Sequence, residues 1–482
     1  MTRVRNFVTE AGPWPMGLAV MTFWLMVWSV LRAPIADYGI HVSVAERLIA
    51  GDRLYEEVWD NKDPLYFLSL AGARAITPLG DWFLGIGTLF ATGLSVYCLA
   101  RAAGTSRSFS VLVGWVVAPV IVIALIDPTA GISPAAPAAF AAIAFAVLKR
   151  PLLSGLVLSV VPFFQIALFP VALTAVVVVI WFGGRDWWRG GLGLGLGVLC
   201  VLTLLTLRQE LLPYLNSLLL NVGYAQSGGI GGTRTLSSRI ALFRNPAVQL
   251  SAVSSILALG IVRLLPVEKN IKSARSDNGG IWWAAAWCIP AVALVLLVMG
   301  KWPGHAKLLM IPGVMAVVAV ASSVSRDPRL SRSASVVSLL LLGILVAALP
   351  SPVPFVTSLE YARAAINQSK DASSQAKAIA KTGSPTTYAR VGQGEDPGHA
   401  IGLREWDLAC PRITQYWWES SEILQMTSEC IATSDVVLVT DDLYGPVSSP
   451  TWEAFQNEVE NVLAEDFLCD REPGFRVCTK VT

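Results

Sequence analysis

The chain has 482 residues, of which 54% are hydrophobic and only 15% charged. Soluble domains carry about a quarter charged residues, so composition alone excludes an ordinary soluble enzyme. A net charge of +2 is too small to point to nucleic acid, and the placement of charge along the chain is more informative than its sum.

Arg3 and Arg5 precede the first long apolar run, Trp14–Leu31. It lacks a small-residue cleavage site, so it is read as a retained anchor and not as a signal peptide. Further apolar runs follow at Leu79–Ala100, Ser108–Ile126, Ile132–Leu148, Leu152–Leu168, Pro170–Phe182, Gly191–Leu207, Ala247–Leu265, Ile281–Met299, Ala306–Val324 and Ser335–Leu349. Most approach the roughly twenty residues needed to cross a hydrocarbon core of about 30 Å. Backbone groups in lipid must bond within their own segment, so these runs are helices. The expectation is a mainly α, polytopic membrane protein of about eleven spans, with the short fifth and sixth able to form one bent hairpin. The "GLGLGLG" of residues 191–197 lies inside a span, where close helix packing explains it better than a nucleotide-binding loop.

Alternate connections carry the basic residues: Arg101 and Arg107, Lys149 and Arg150, Arg185 and Arg189, Lys269, Lys272 and Arg275, then Arg326, Arg329 and Arg332. The positive-inside rule makes that set cytoplasmic, together with the N-terminus. The other set faces outward: residues 32–78, 127–131, a turn near Phe169, 208–246, 300–305 and everything after Pro350. Localisation in a bacterial cytoplasmic membrane follows, with the C-terminal region outside the cytoplasm. The domain division expected is 1–353, a transmembrane domain, and 354–482, a small extracytoplasmic α/β domain.

The first outward loop is the most polar part of the membrane domain. "GIHVSVAERLIAGD" has helical apolar spacing, and "DPLYFLSLAGARAIT" predicts a second helix. The first is expected to be an amphipathic helix on the outer membrane surface, and the second a surface or re-entrant helix. Asp37, His41, Asp60, Lys62 and Asp63 cluster around them. Each has a plain structural reading: Asp37 as an N-cap, His41 as a packed histidine, Asp60 and Asp63 as ion partners of Lys62.

Cys98, Cys200 and Cys288 stand singly inside spans and are read as core packing. Cys410, Cys430, Cys469 and Cys478 lie in the outward C-terminal region, where an even count suggests two disulfides. Proximity favours Cys410–Cys430 and Cys469–Cys478, although sequence alone leaves the pairing open. In that region "SDVVLVTDD" reads as a buried strand, "TWEAFQNEVENVLAEDF" as an amphipathic helix and "GFRVCTK" as a last strand.

An aspartate soon after the first span, followed by Gly39, Ala45, Leu48, Gly51, Leu54 and Tyr55 and then by Lys62, Pro64 and Leu65, resembles the GT-C class of polyprenyl-phosphate-dependent glycosyltransferases. The nearest branch is the one containing protein O-mannosyltransferases and lipid A aminoarabinose transferases. Asp63 stands where that family usually has the first of two prolines. "GKWPGHAKLL" resembles its short outer loop with a histidine near a tyrosine, except that Ala306 replaces the tyrosine. The resemblance implies that Asp37 is catalytic and that a second acid lies in the next outer loop, where Asp127 stands. It also implies an inverting hexosyl- or pentosyltransferase acting in cell-envelope biogenesis.

The chemistry leads to the same class from the residues. Nucleotide sugars are made inside the cell, so an outward site needs a donor carried by lipid, such as a polyprenyl-phosphate sugar. The acceptor would be a hydroxyl of an envelope glycan, lipid or protein. A carboxylate serves as general base, and cations stabilise the leaving phosphate. Lys62, Arg234, Lys301, His305 and Lys307 are the outward cations placed near it, with His41 and Asp60 as further substrate-binding candidates. A divalent metal would have only Asp37 and Asp127 as ligands, too few to argue for one. Two other classes compete. A flippase for a lipid-linked saccharide would show repeats and midplane charges, and a non-catalytic envelope-assembly scaffold would tolerate loss of Asp37.

Overall fold

The computed structural model describes residues 17, 19–20, 22–23, 38–60, 62–118, 134–182, 186–227, 278–299, 308–324, 374–383, 385–392, 406–412, 415, 421–444 and 450–481. The chain divides into two compact units. One contains Met1–Leu31, Gly85–Val201 and Thr235–Val353, and the other contains Arg32–Leu84, Leu202–Arg234 and Pro354–Thr482.

The first unit is helical. Among the described residues, Gly80–Ala102, Pro151–Phe182 and Trp187–Leu207 are long and apolar enough to cross a membrane, which makes this a multi-pass membrane chain. The helices Ala135–Val147, Asn278–Met299 and Met310–Val324 add shorter apolar segments. Expected spans five and six form one helical run, Pro151–Phe182. It is interrupted after Leu158 and again by a 3-10 turn at Ile166–Leu168. The spans expected at Ala247–Leu265 and Ser335–Leu349, and most of Trp14–Leu31, lie outside the described residues.

Small residues set the packing distances in this unit. The buried cluster is rich in alanine, with Ala135, Ala139, Ala142, Ala172, Ala175 and Ala284 all buried. Without a hydrophobic driving force between helices in lipid, small residues permit the close backbone approach that packing needs. The "GLGLGLG" stretch does this. A Cβ at Gly193 would lie 2.1 Å from the Leu152 carbonyl oxygen, and one at Gly155 would lie 2.0 Å from that of Gly190. Cys288 is buried in this core, its thiol 3.5 Å from the Val171 carbonyl oxygen. Cys98 and Cys200, expected in the core, are instead exposed on the helix surfaces. The reason is physical: lipid accepts apolar side chains as readily as a core does, so apolarity does not tell the two faces apart. Trp181, Trp187 and Trp188 are also exposed, beside Arg189. Tryptophans flanked by arginine are typical of the membrane–water boundary.

In the second unit, residues 374–481 build a five-stranded sheet of order β2-β1-β3-β5-β4. The strands are β1 Thr387–Val391, β2 Asp407–Leu408, β3 Val436–Thr440, β4 Phe467–Glu472 and β5 Phe475–Lys480. β1 runs parallel to both β2 and β3, whereas β5 is antiparallel to β3 and to β4. "SDVVLVTDD" is the central strand β3, and all five of its residues are buried. Its Val437 and Val439 face a core shared with the helices Ser421–Ile431 and Pro450–Asp466. Val436 and Leu438 face the opposite core, made with the helix Ser374–Lys381 and with Trp406. A sheet covered on both faces turns β3 into the continuous apolar run seen in the sequence. The two disulfides are Cys410–Cys430 and Cys469–Cys478, the latter joining directly opposed residues of β4 and β5.

Asp435 ties the start of β1 to the start of β3. Its carboxylate accepts the N–H groups of Thr386 and Thr387 and the Thr386 hydroxyl, at 2.9, 2.9 and 2.7 Å. These bonds hold its carboxyl down at about 2. A depressed acid stabilises the fold above its unfolded pKa, and that stabilisation is lost as pH falls toward the folded value. Acid titration of the protein should therefore show a stability loss between about pH 4 and 2 that Asp435→Asn abolishes; identical acid profiles would contradict this. Mass spectrometry without reduction should recover peptides linked through both disulfides, each expected to contribute about 2–4 kcal/mol.

Candidate functional site

The polar loop after the first apolar run folds as two helices, Tyr38–Ala50 and Pro64–Ile76, joined by a turn. Both lie where the apolar spacing predicts them. The first, however, is not a surface helix with one wet face: Ile40 through Leu48 are all buried. Its polar residues survive burial because each is matched. The His41 Nδ1 lies 3.0 Å from the Tyr66 hydroxyl, and the ring meets Tyr66 and Phe67 edge-on. Glu46 bonds Arg74 at 2.6 Å, and Arg74 also bonds Asp81 at 2.9 Å, on side chains no more than 6% exposed. One guanidinium thus neutralises carboxylates from two other helices, and such buried charges persist only when paired.

Gly51 ends the first helix with φ +113, the left-handed geometry usual at a helix C-terminus. The N–H groups of Gly51 and Asp52 then both bond the Arg47 carbonyl oxygen at 3.1 Å. Tyr55 also has positive φ, +68, an uncommon conformation for a side chain of this size. Its N–H bonds the Val58 carbonyl at 2.7 Å and its hydroxyl donates to the Lys62 carbonyl at 2.6 Å. Burial pushes the Tyr55 phenol well above its ordinary range, with Asp63 adding to the effect, so it remains a neutral donor. Asp60 accepts the Lys62 N–H at 3.0 Å, closing a short turn of the kind aspartate favours. Asp63 occupies the N-cap position and Pro64 the first position of the next helix, as helix starts prefer. Arg53, bonded to Glu57 through its backbone and side chain, holds the Glu57 carboxyl below its ordinary range.

Two other parts of the same unit meet this turn. Glu210, fully buried, accepts the Leu54 N–H at 3.2 Å and pairs with Arg208 at 2.8 Å. Tyr214 donates to Asp63 at 3.4 Å and packs 5.5 Å from the Tyr55 ring. Burial, then the Asp63 carboxylate, raise the Tyr214 phenol as well. Both residues lie in or before the helix Leu211–Ser227. The sequence pattern places that stretch in a connection between spans, although Leu211, Leu215, Leu218 and Leu219 carry a helical spacing. From the C-terminal region, the Pro411 carbonyl accepts the Trp59 N–H at 2.7 Å and the Arg412 guanidinium lies 4.2 Å over the Trp59 ring. Arg47 pairs with Asp52 at 2.6 Å, lies 3.8 Å from Asp407 and donates to the Trp406 carbonyl oxygen.

Of the expected site residues, His41, Asp60 and Lys62 are described, and all three belong to this assembly. Asp37, Asp127, Arg234, Lys301, His305 and Lys307 lie outside the described residues. Among the described residues, no three His, Cys, Asp or Glu side chains are grouped to hold a metal ion.

The whole chain can be compared with solved structures. It matches the crystal structure of ArnT from Cupriavidus metallidurans bound to undecaprenyl phosphate over 97% of both chains, with a TM-score of 0.53 and 14% identity. The fold is the GT-C glycosyltransferase fold. At that identity the likeness is one of fold. Weaker matches are the cryo-EM structure of the arabinofuranosyltransferase AftD from Mycobacteria and ArnT in the apo state. AftD has a TM-score of 0.47 and 13% identity, over 97% of this chain and 40% of that one. Apo ArnT has a TM-score of 0.43 and 16% identity, over 97% and 98%. No family model matches the chain, and no curated protein matches it in sequence.

The Glu46–Arg74–Asp81 group can be tested as a unit. Arg74→Met removes the guanidinium that both buried carboxylates bond, and a loss of about 3–5 kcal/mol is expected. Replacing all three residues by apolar ones of similar volume should recover most of it, as read by thermal unfolding in detergent. A triple variant no better than Arg74→Met would contradict this account.

Proposed function

We propose that the chain is a membrane glycosyltransferase moving a sugar from a polyprenyl-phosphate donor to an envelope hydroxyl on the outer face of the cytoplasmic membrane. The observation that carries this reading is the whole-length likeness to a protein captured with undecaprenyl phosphate. The first loop of this chain agrees with it. Lys62 there is held between Asp60 and the start of a 13-residue helix, whose N-terminal end favours an anion.

In the proposed reaction Asp37 accepts the proton of the acceptor hydroxyl as its oxygen attacks the anomeric carbon. The bond from that carbon to the phosphate oxygen breaks, and the electron pair leaves with the polyprenyl phosphate. Direct displacement inverts the anomeric configuration. Asp127 favours the oxocarbenium-like transition state. Lys62, Arg234, Lys301, His305 and Lys307 stabilise charge on the leaving phosphate, with His41 and Asp60 completing the substrate-binding set. The N-terminus is placed inside, and the domain 354–482 outside the cytoplasm.

A transfer assay with purified protein, polyprenyl-phosphate sugars and envelope acceptors tests the reading. Asp37→Asn should lower turnover by roughly 10²–10⁴-fold, the usual worth of a general base, while donor binding persists. Asparagine caps helices about as well as aspartate, so a purely structural Asp37 would leave turnover nearly normal and sink the mechanism. Lys62→Met should weaken donor binding as well as turnover. A cysteine introduced at Gln393 should label in intact cells; labelling only after lysis would reverse the topology.

A further inference from the structure

The C-terminal region does more than accompany the membrane domain. The first helix and the turn that follows it are bonded to the segment Trp406–Arg412 at two places, Arg47 and Trp59, twelve residues apart along the loop. At one end Arg47, 4% exposed, joins Asp52 to the Trp406 carbonyl and Asp407. At the other end Trp59 makes an isolated parallel bridge with Arg412, and the Arg412 guanidinium covers its ring. Trp59 and Arg412 are each only 6% exposed. Directly after Trp59 come Asp60 and Lys62, whose backbone is set by the Asp60 carboxylate and the Tyr55 hydroxyl. The segment making the contacts is itself braced. Residues 407–408 are strand β2, Cys410 is tied to Cys430, and Gln415 donates to the carbonyls of Arg390 and Arg412 at 3.2 and 3.3 Å.

We propose that Arg412 is a positioning residue for Lys62: its stacking on Trp59 seats the 51–63 turn on the C-terminal sheet edge so that Lys62 meets the phosphate of the lipid-linked donor. The inference rests on the transferase reading above. Arg412 itself touches Trp59 and not the reacting atoms. Tyr55, held at positive φ, shows why an outside brace is needed, since an uncommon backbone conformation persists only where its surroundings over-determine it. A guanidinium over an indole, both shielded from water, supplies such a brace.

The test uses the full chain in lipid nanodiscs. Hydrogen exchange is read across residues 54–62, undecaprenyl phosphate binding is measured alone, and donor KM and kcat are measured in the transfer assay. Arg412→Ala should speed exchange in 54–62, weaken undecaprenyl phosphate binding about tenfold and raise donor KM by a similar factor, as expected for loss of a desolvated cation–π contact. The change in kcat should be small. Arg412→Lys, which keeps a cation over the ring, should recover part of each effect. Trp59→Leu keeps the N–H bond to Pro411, removes only the ring face, and should behave like Arg412→Ala; it also serves if Arg412→Ala does not fold. Wild-type exchange and affinity in both Arg412→Ala and Trp59→Leu would overturn the proposal. A wild-type protein that neither binds undecaprenyl phosphate nor transfers sugar would instead overturn the transferase reading, and the positioning role with it.

Discussion

The Arg74 guanidinium, shared between Glu46 and Asp81, is the interaction on which the first loop depends. It joins the helices Tyr38–Ala50 and Pro64–Ile76 to Asp81, at the start of the helix Gly80–Ala102. None of the three groups could remain charged in that environment alone. Together they make a joint centred on Arg74, whose removal takes a bond from both carboxylates at once. The turn 51–63 hangs between two helices held in this way, and its geometry is meaningful only because its ends are fixed.

The turn shows how an exposed function can be built from buried parts. Tyr55, Trp59, Glu210 and Tyr214 are all buried, yet their polar atoms all bond this turn or its flank. Lys62 receives its backbone position from the Tyr55 hydroxyl and the Asp60 carboxylate. Asp63 is bonded from a helix more than a hundred residues later in the chain. The His41–Tyr66 bond has a related effect, holding the helix that follows Asp37 against the one that follows Lys62.

The C-terminal sheet belongs to the same construction. Its parallel strands place β2 at the edge, and β2 leads directly into the Cys410–Arg412 segment that meets Trp59. Edge strands carry unpaired backbone groups that proteins must cover or pair. Here the first loop bonds the carbonyls that flank β2, Trp406 through the Arg47 side chain and Pro411 through the Trp59 N–H.

Several features were legible in the sequence because they rest on local rules. Apolar run length announces a membrane chain, period 3.6 announces the helices at 38–50 and 64–76, and a continuous valine-rich run announces β3. Two disulfides follow from four cysteines in one region, and the pairs favoured by proximity are those that form. The cluster of Asp60, Lys62 and Asp63 marks the turn between the two first-loop helices. Other features needed the tertiary structure. Whether a helical cysteine faces lipid or core has no local signal, because both surroundings are apolar; Cys98 and Cys200 illustrate this. The first-loop helix looked amphipathic because Glu46 and Arg47 are charged, and only their distant partners Arg74, Trp406 and Asp407 reveal that both are buried. Tyr214, Glu210 and Arg412 could not be assigned to the Lys62 turn from sequence, since contacts across 150 residues or more follow from the packing of separate segments and leave no periodic trace.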